Sequence, residues 1–262
     1  MIRTLRALLA ALLLVGSSFT SAAAATPDGP TRLTATQKQT LLDGMSKEER
    51  KLRERDFTNK KNVVLAYTRA FQRTDASGAP IGDPITVDPY VTGPTPLGQE
   101  DYNGLWMSLS AIRNTSQPNY TYDIRIHYDW HSDMDLGGED SLGTAWAGGM
   151  ALISDSHYGY YRDGKKYYGH RETVSANAGV SWSFYEYYRA CGGCTTYRSN
   201  YGYLDARIRK GSFGNKDTNV IGKYFHTFQN LEYSLSISGT PSISISPTTS
   251  QWSLALYVTI KT

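Results

Sequence analysis

The chain is poor in the residues that usually announce a mechanism. Two cysteines in 262 residues exclude a disulfide-dense scaffold and a cysteine-rich zinc site. There is no G-x-S-x-G elbow, no H-E-x-x-H, no P-loop and no G-x-G-x-x-G after a strand. Enzymes assembled in three dimensions stay open, by a carboxylate pair or by a Ser/His/Asp set drawn from His127, His131, His157, His170 and His226. Charge excess is lacking too: the formal net charge is +3, and without Arg3 and Arg6 it falls to +1. Such a balance gathers neither phosphates nor anionic lipid, so nucleic acid is not an expected partner. Long apolar runs are missing apart from Ala7–Val15, which is too short to span a bilayer.

That run has another meaning. It follows a short basic start with Arg3 and Arg6 and leads to Ala23-Ala24-Ala25, the layout of a secretory signal peptide over residues 1–25. Cleavage there implies a secreted, extracellular protein of about 237 residues with no transmembrane anchor, a size that one all-β domain commonly fills. Asn114-Thr-Ser116 and Asn119-Tyr-Thr121 match the glycosylation acceptor, but the alanine-rich leader looks bacterial and no glycans are expected.

Residues 26–61 form an N-terminal helical segment. Leu41, Leu42, Met45 and Leu52 give a sparse apolar face, Ser46-Lys-Glu-Glu49 has capping-box spacing, and Gly44 divides the segment. Mixed charges make it a solvated helix docked on, or tethered to, the rest. From Asn62 the apolar period becomes two, and 62–262 reads as an antiparallel β-sandwich or flattened barrel. Asp75 to Asp101, rich in Gly and Pro, reads as a long loop with one edge strand within Pro84–Val91. Hairpins are expected at Leu105–Ile112 with Tyr120–Trp130, at Tyr158–Arg162 with Lys165–Tyr168 across Asp163-Gly164, and at Tyr233–Ile237 with Ser242–Ser246. Another closes over Gly192-Gly193, which makes Cys191 and Cys194 a facing pair suited to a structural disulfide.

Three constellations bear on function. Around Tyr122–His131, Asp123, Arg125, His127, Asp129 and His131 share one strand face, so His127, Asp129 and His131 are the catalytic or transition-metal candidates. The next loop offers Asp133, Asp135, Glu139 and Asp140 as hard oxygens suited to Ca²⁺. Both also fit a charge ladder on a wet strand face followed by an acidic turn. The second constellation is aromatic: 20 Tyr against 7 Phe places rings on half-exposed faces, where they stack on sugars or pack across strands. Tyr158, Tyr160, Tyr161, Tyr167, Tyr168 and Trp182 are the ligand-binding candidates. The third is Ser234 to Ser246, where serine alternates with Leu235, Ile237, Ile243 and Ile245. An ordinary strand pair with its serines in water, or a membrane-inserting hairpin whose arms are short for the task, explains it.

The expectation is a secreted, non-enzymatic binding protein that recognises a glycan or another cell-surface component. The alternatives are an extracellular hydrolase or metal-dependent enzyme using the His/Asp strand face, and a membrane-active protein of the β-pore type.

Overall fold

The computed structural model describes residues 34–43, 45, 47–87, 103–118, 121–131, 138–147, 149–190, 195–210, 217–228, 234–238, 241–246 and 251–260. The leader, Asp133, Asp135 and the Cys191/Cys194 pair lie outside them.

Two helices come first, α1 (Ala35–Asp43) and α2 (Lys47–Thr58). The strands are β1 (Asn62–Arg73), β2 (Ile85–Val87), β3 (Gly104–Asn114), β4 (Thr121–Trp130), β5 (Glu139–Trp146), β6 (Met150–Tyr161), β7 (Lys166–Tyr167) and β8 (His170–Ser175). They continue with β9 (Gly179–Tyr185), β10 (Tyr187–Ala190), β11 (Thr195–Lys210), β12 (Thr218–Thr227), β13 (Ser234–Ser238), β14 (Ser242–Ser246) and β15 (Gln251–Ile260). One sheet has eight strands in the order β2-β1-β3-β4-β11-β6-β7, with β10 paired to β11. A second has five, β15-β12-β5-β9-β8, and β13-β14 stand as a two-stranded sheet of their own. The protein is an antiparallel β-sandwich.

Period-two alternation makes the core. Leu105, Met107 and Leu109 of β3, Ile124, Ile126 and Tyr128 of β4 and Leu204, Ala206 and Ile208 of β11 point inward from the large sheet. Leu142, Val180, Phe184, Val220, Tyr224, Leu254 and Val258 meet them from the five-stranded sheet. Each fully buried aliphatic or aromatic side chain here contributes roughly 1.5–3 kcal/mol relative to exposure.

The helices lie on the outer face of the large sheet. α1 begins with a reciprocal capping box: Gln37 N donates to Thr34 Oγ1 at 3.2 Å, and Thr34 N donates to Gln37 Oε1 at 2.8 Å. Leu41, Leu42, Met45 and Phe57 pack on Val64, Tyr67 and Ile112. Arg53, on the same helical run, is fully buried and donates to Ser110 Oγ at 2.6 Å and Ser108 Oγ at 3.0 Å. Asp56 then pairs with Arg125, which also pairs with Asp205 on β11. The strand face that reads as wet in sequence is in part a dry seat for α2, because four charged groups of alternating sign satisfy one another there.

The Asp163-Gly164 turn forms as its residues require. Gly164 adopts φ 84°, which favours glycine, and Asp163 Oδ1 accepts from Lys165 N at 3.0 Å.

Candidate functional site

The outer face of the large sheet carries two rows of side chains in register. Arg69, Ser108, His127, Tyr203 and Tyr158 form one across β1, β3, β4, β11 and β6, and Phe71, Trp106, Asp129, Tyr201 and Tyr160 form the other. At one end the rows are closed: Phe71 and Trp106 are buried with ring centroids 4.8 Å apart, and the Arg69 guanidinium lies 3.8 Å over Trp106. At the other end they open. Tyr160 and Tyr201, both half-buried, stack at 5.0 Å and 28°. Tyr158 packs on Tyr203 at 5.0 Å, and Tyr203 on His127 at 4.8 Å. Lys166 Nζ sits 4.3 Å from the Tyr158 ring and 4.9 Å from the Tyr168 ring, which is 69% exposed. The half-buried Asp205 borders the rings, fixed by Arg125. Flat apolar faces next to a held carboxylate and an ammonium suit a ligand with both C–H faces and hydroxyls.

The six sequence-nominated aromatics therefore divide among different surroundings. Tyr158, Tyr160 and Tyr168 lie on or beside this open end. Tyr161 and Tyr167 are buried in the core; Tyr161 follows the β6 alternation that sends Tyr158 and Tyr160 outward, and so faces inward with His157. Trp182 is half-buried on β9 and donates from Nε1 to Asp155 at 2.8 Å, under Arg171. Tyr201 completes the patch, and only the pairing of β11 with β6 reveals that it does.

His127, Asp129 and His131 do share the outer face. His127 and Asp129 are buried, and His131 Nε2 lies 3.4 Å from Asp129 Oδ2. The ligand-type cluster among the described residues is a different one: Asp140, Glu186 and His226, at 0%, 2% and 0% exposure. Asp140, nominated with the acidic loop, faces inward at the start of β5, while its neighbour Glu139 accepts from Ser183 Oγ. Asp140 accepts from Thr227 N at 3.0 Å and from the Tyr224 hydroxyl, itself the acceptor for Trp130 Nε1 at 2.9 Å. His226 Nδ1 lies 3.1 Å from Asp140 Oδ1 and 2.6 Å from Glu186 Oε1. Gly138 N donates to Glu186 Oε2 at 3.3 Å.

Burial and the Asp140 charge push Glu186 up to about 8. Burial works against a proton on His226, but Asp140 and Glu186 outweigh it and raise the imidazole to about 10. Near neutral pH His226 and Glu186 therefore both hold their protons. The groups of the cluster touch at hydrogen-bond distance and are bridged by protons. A Zn²⁺ ion would need ligand atoms about 2.0–2.2 Å from its centre in place of those bonds. The cluster joins β5, β12, the residue between β9 and β10 and, through Tyr224 and Trp130, the large sheet.

His157 is the opposite case. It is buried against Phe184, with ring centroids 4.7 Å apart, and accepts at Nδ1 from Gly169 N at 3.1 Å. Burial alone lowers it to about 3, so it stays neutral. A side chain at position 169 would sit 2.7 Å from that nitrogen, so glycine is required there.

No family model and no curated protein sequence matches the chain. Among solved structures it is similar to one described as a pore forming protein, 9% identical over 78% of this chain and 94% of that one, with a TM-score of 0.32. It is also similar to the C-terminal domain of the Streptococcus pyogenes antigen I/II-family protein AspA, 11% identical over 78% and 81%, TM-score 0.28. A third, BspA_C_mut, is 7% identical over 55% and 54%, TM-score 0.27. No described helix is long and apolar enough to cross a membrane.

Proposed function

We propose that the protein is a secreted, non-enzymatic binding protein whose ligand face is the open end of the outer sheet rows, and that its ligand is a glycan of a cell surface or matrix. The observation that carries this reading is the stacked, half-buried Tyr160–Tyr201 pair beside Tyr158, Lys166 and Asp205. A sugar ring offers one C–H face to such rings and its hydroxyls to a carboxylate and an ammonium. The rings stand on paired strands in fixed register, which orders them before binding. The buried acid and histidine groups support the same reading from the other side, since at 0–2% exposure Asp140, Glu186 and His226 present nothing to a substrate.

The test is retention on insoluble polysaccharides and on whole cells. Tyr160→Ala and Tyr201→Ala should each weaken retention about tenfold or more, equivalent to about 1.4 kcal/mol, with the melting temperature little changed. His131→Ala should leave retention intact. Unaltered retention in a Tyr160/Tyr201 double variant would remove this face from the function.

A further inference from the structure

The Asp163-Gly164 turn serves two pairs of tyrosines. On the outer face, Lys166 lies opposite Tyr160 in the β6–β7 ladder, so the row that runs through Asp129, Tyr201 and Tyr160 ends on an ammonium. A second pair meets the same turn. Tyr188 of β10 and Tyr197 of β11 are ladder partners, both half-buried, and their rings stack at 5.3 Å and 21°. Lys165 Nζ lies 3.9 Å from the Tyr188 ring, and the exposed Arg189 guanidinium lies 5.9 Å from the Tyr187 ring.

The two lysines reach different pairs because they are consecutive. As the chain leaves the turn, Lys165 O accepts from Tyr161 N at 2.9 Å, and neighbouring side chains point to opposite faces. Lys166 therefore goes with Tyr158 and Tyr160. Lys165 goes with Tyr161, whose ring lies 4.7 Å from Tyr188.

Charge at this turn is not balanced as it is elsewhere on the sheets. Arg125, Arg171 and Arg207 each hold a carboxylate. The run Arg162-Asp-Gly-Lys-Lys166 has three cations and one acid. That acid is engaged: Asp163 accepts from the Tyr188 hydroxyl and from Lys165 N. Arg162 donates to a neutral carbonyl, Trp130 O, at 3.4 Å. Asp205, beside the first tyrosine pair, is answered by Arg125. The whole chain is at +3 with two of those charges at Arg3 and Arg6, so the excess at the turn is local. Lys165 and Lys166 are exposed and rest on rings, which hold a hydrated ammonium weakly, so an anionic ligand can take them without breaking an ion pair.

We propose that the glycan is acidic and that its chain crosses the Asp163-Gly164 turn, laying sugar faces on both tyrosine pairs and anionic groups on Lys166 and Lys165. The proposal rests on the glycan reading of the tyrosine face and narrows it. A sugar carboxylate, sulfate or phosphate serves, because an ammonium acts as a point charge without the fork geometry that selects one oxyanion. The rings separate an acidic sugar from other polyanions, since they need a flat C–H face to cover.

The test measures retention of the full mature chain on immobilised polymers. Polygalacturonate, dextran sulfate and phosphorylated dextran carry the three anions. Carboxyl-reduced polygalacturonate and plain dextran are their neutral counterparts, and polyglutamate carries charge without sugar. Retention on at least one acidic polymer should exceed that on its neutral counterpart and on polyglutamate, and should weaken as salt screens the exposed charges. Lys165→Gln and Lys166→Gln should each weaken it about threefold, and together about tenfold, with the melting temperature unchanged. Equal retention on neutral and acidic sugars overturns the proposal and leaves the glycan reading standing, as does retention on insoluble polysaccharides or cells without any on the three acidic polymers. Polyglutamate held as tightly as the sugars overturns it too. A loss at only one of the two lysines removes the crossing. No retention on any polymer or cell overturns the glycan reading itself.

Discussion

Tyrosines of two kinds share this sandwich, and they differ in what happens to the hydroxyl. Between the sheets, Tyr128 hydrogen-bonds with Tyr167 at 2.6 Å, Tyr167 with Ser199 Oγ at 2.6 Å, and Tyr224 with Asp140. Burial pushes Tyr167 above its ordinary range, so it remains a neutral donor. On the outer face Tyr158, Tyr160 and Tyr201 bury one side of each ring and leave the rest to water. The inner set is a polar network that must be fully satisfied because water cannot reach it. The outer set keeps part of its ring surface open to solvent, which is what a binding face needs.

The strongest way to break that contrast is at the heart of the inner network. His226→Ala leaves the Asp140 carboxylate without its charge partner in a dry site, and should cost about 3–5 kcal/mol, read by urea unfolding. A pH titration tests the same cluster without mutation. Glu186 and His226 both bind protons more tightly folded than unfolded, at about 8 against 4.5 and about 10 against 6.5. Stability is therefore fully supported below the unfolded values and is lost as pH rises through the folded ones, so these two groups should lower the melting temperature between about pH 4.5 and about pH 10, most steeply between about 6.5 and about 8. His157 acts in the opposite window: held neutral to about 3, it loses stability as pH falls below 6.5. Glu186→Gln should flatten part of the alkaline fall, and an unchanged slope would detach Glu186 from it. The smallest effect compares one deletion at two places. Tyr167→Phe strands the hydroxyls of Tyr128 and Ser199 and should cost about 1–3 kcal/mol, whereas Tyr160→Phe should change stability by less than about 0.5 kcal/mol.

Local pattern made much of the architecture legible. Alternation over Tyr122–Trp130 separates inward Ile124, Ile126 and Tyr128 from outward Asp123, Arg125 and His127, and the pairing of β4 with β3 and β11 keeps that division. Asp-Gly located the β6–β7 turn, and serine alternation located β13 and β14. The capping box that forms in α1 is written in the sequence as Thr34-Ala-Thr-Gln37, whereas Ser46 of the Ser46–Glu49 spacing lies outside the described residues. The candidate site was much less legible. Asp140 stands in a run of acids that resembles a surface turn, and nothing local tells that its partners are Glu186 and His226, far along the chain. The same holds for Tyr201, which meets Tyr160 only through the pairing of β11 with β6.

The sequence by itself determined the alternating faces of strands such as Tyr122–Trp130 and the Asp163-Gly164 turn, because a side-chain period of two and the turn preferences of Asp-Gly are properties of a few neighbouring residues. The tertiary structure decided which polar groups became dry and which rings stayed wet. α2 covers Arg125, β11 places Tyr201 against Tyr160, and the packing of two sheets encloses Asp140, Glu186 and His226. Burial and charge pairing are sums over elements distant in the chain, so only the folded arrangement sets them.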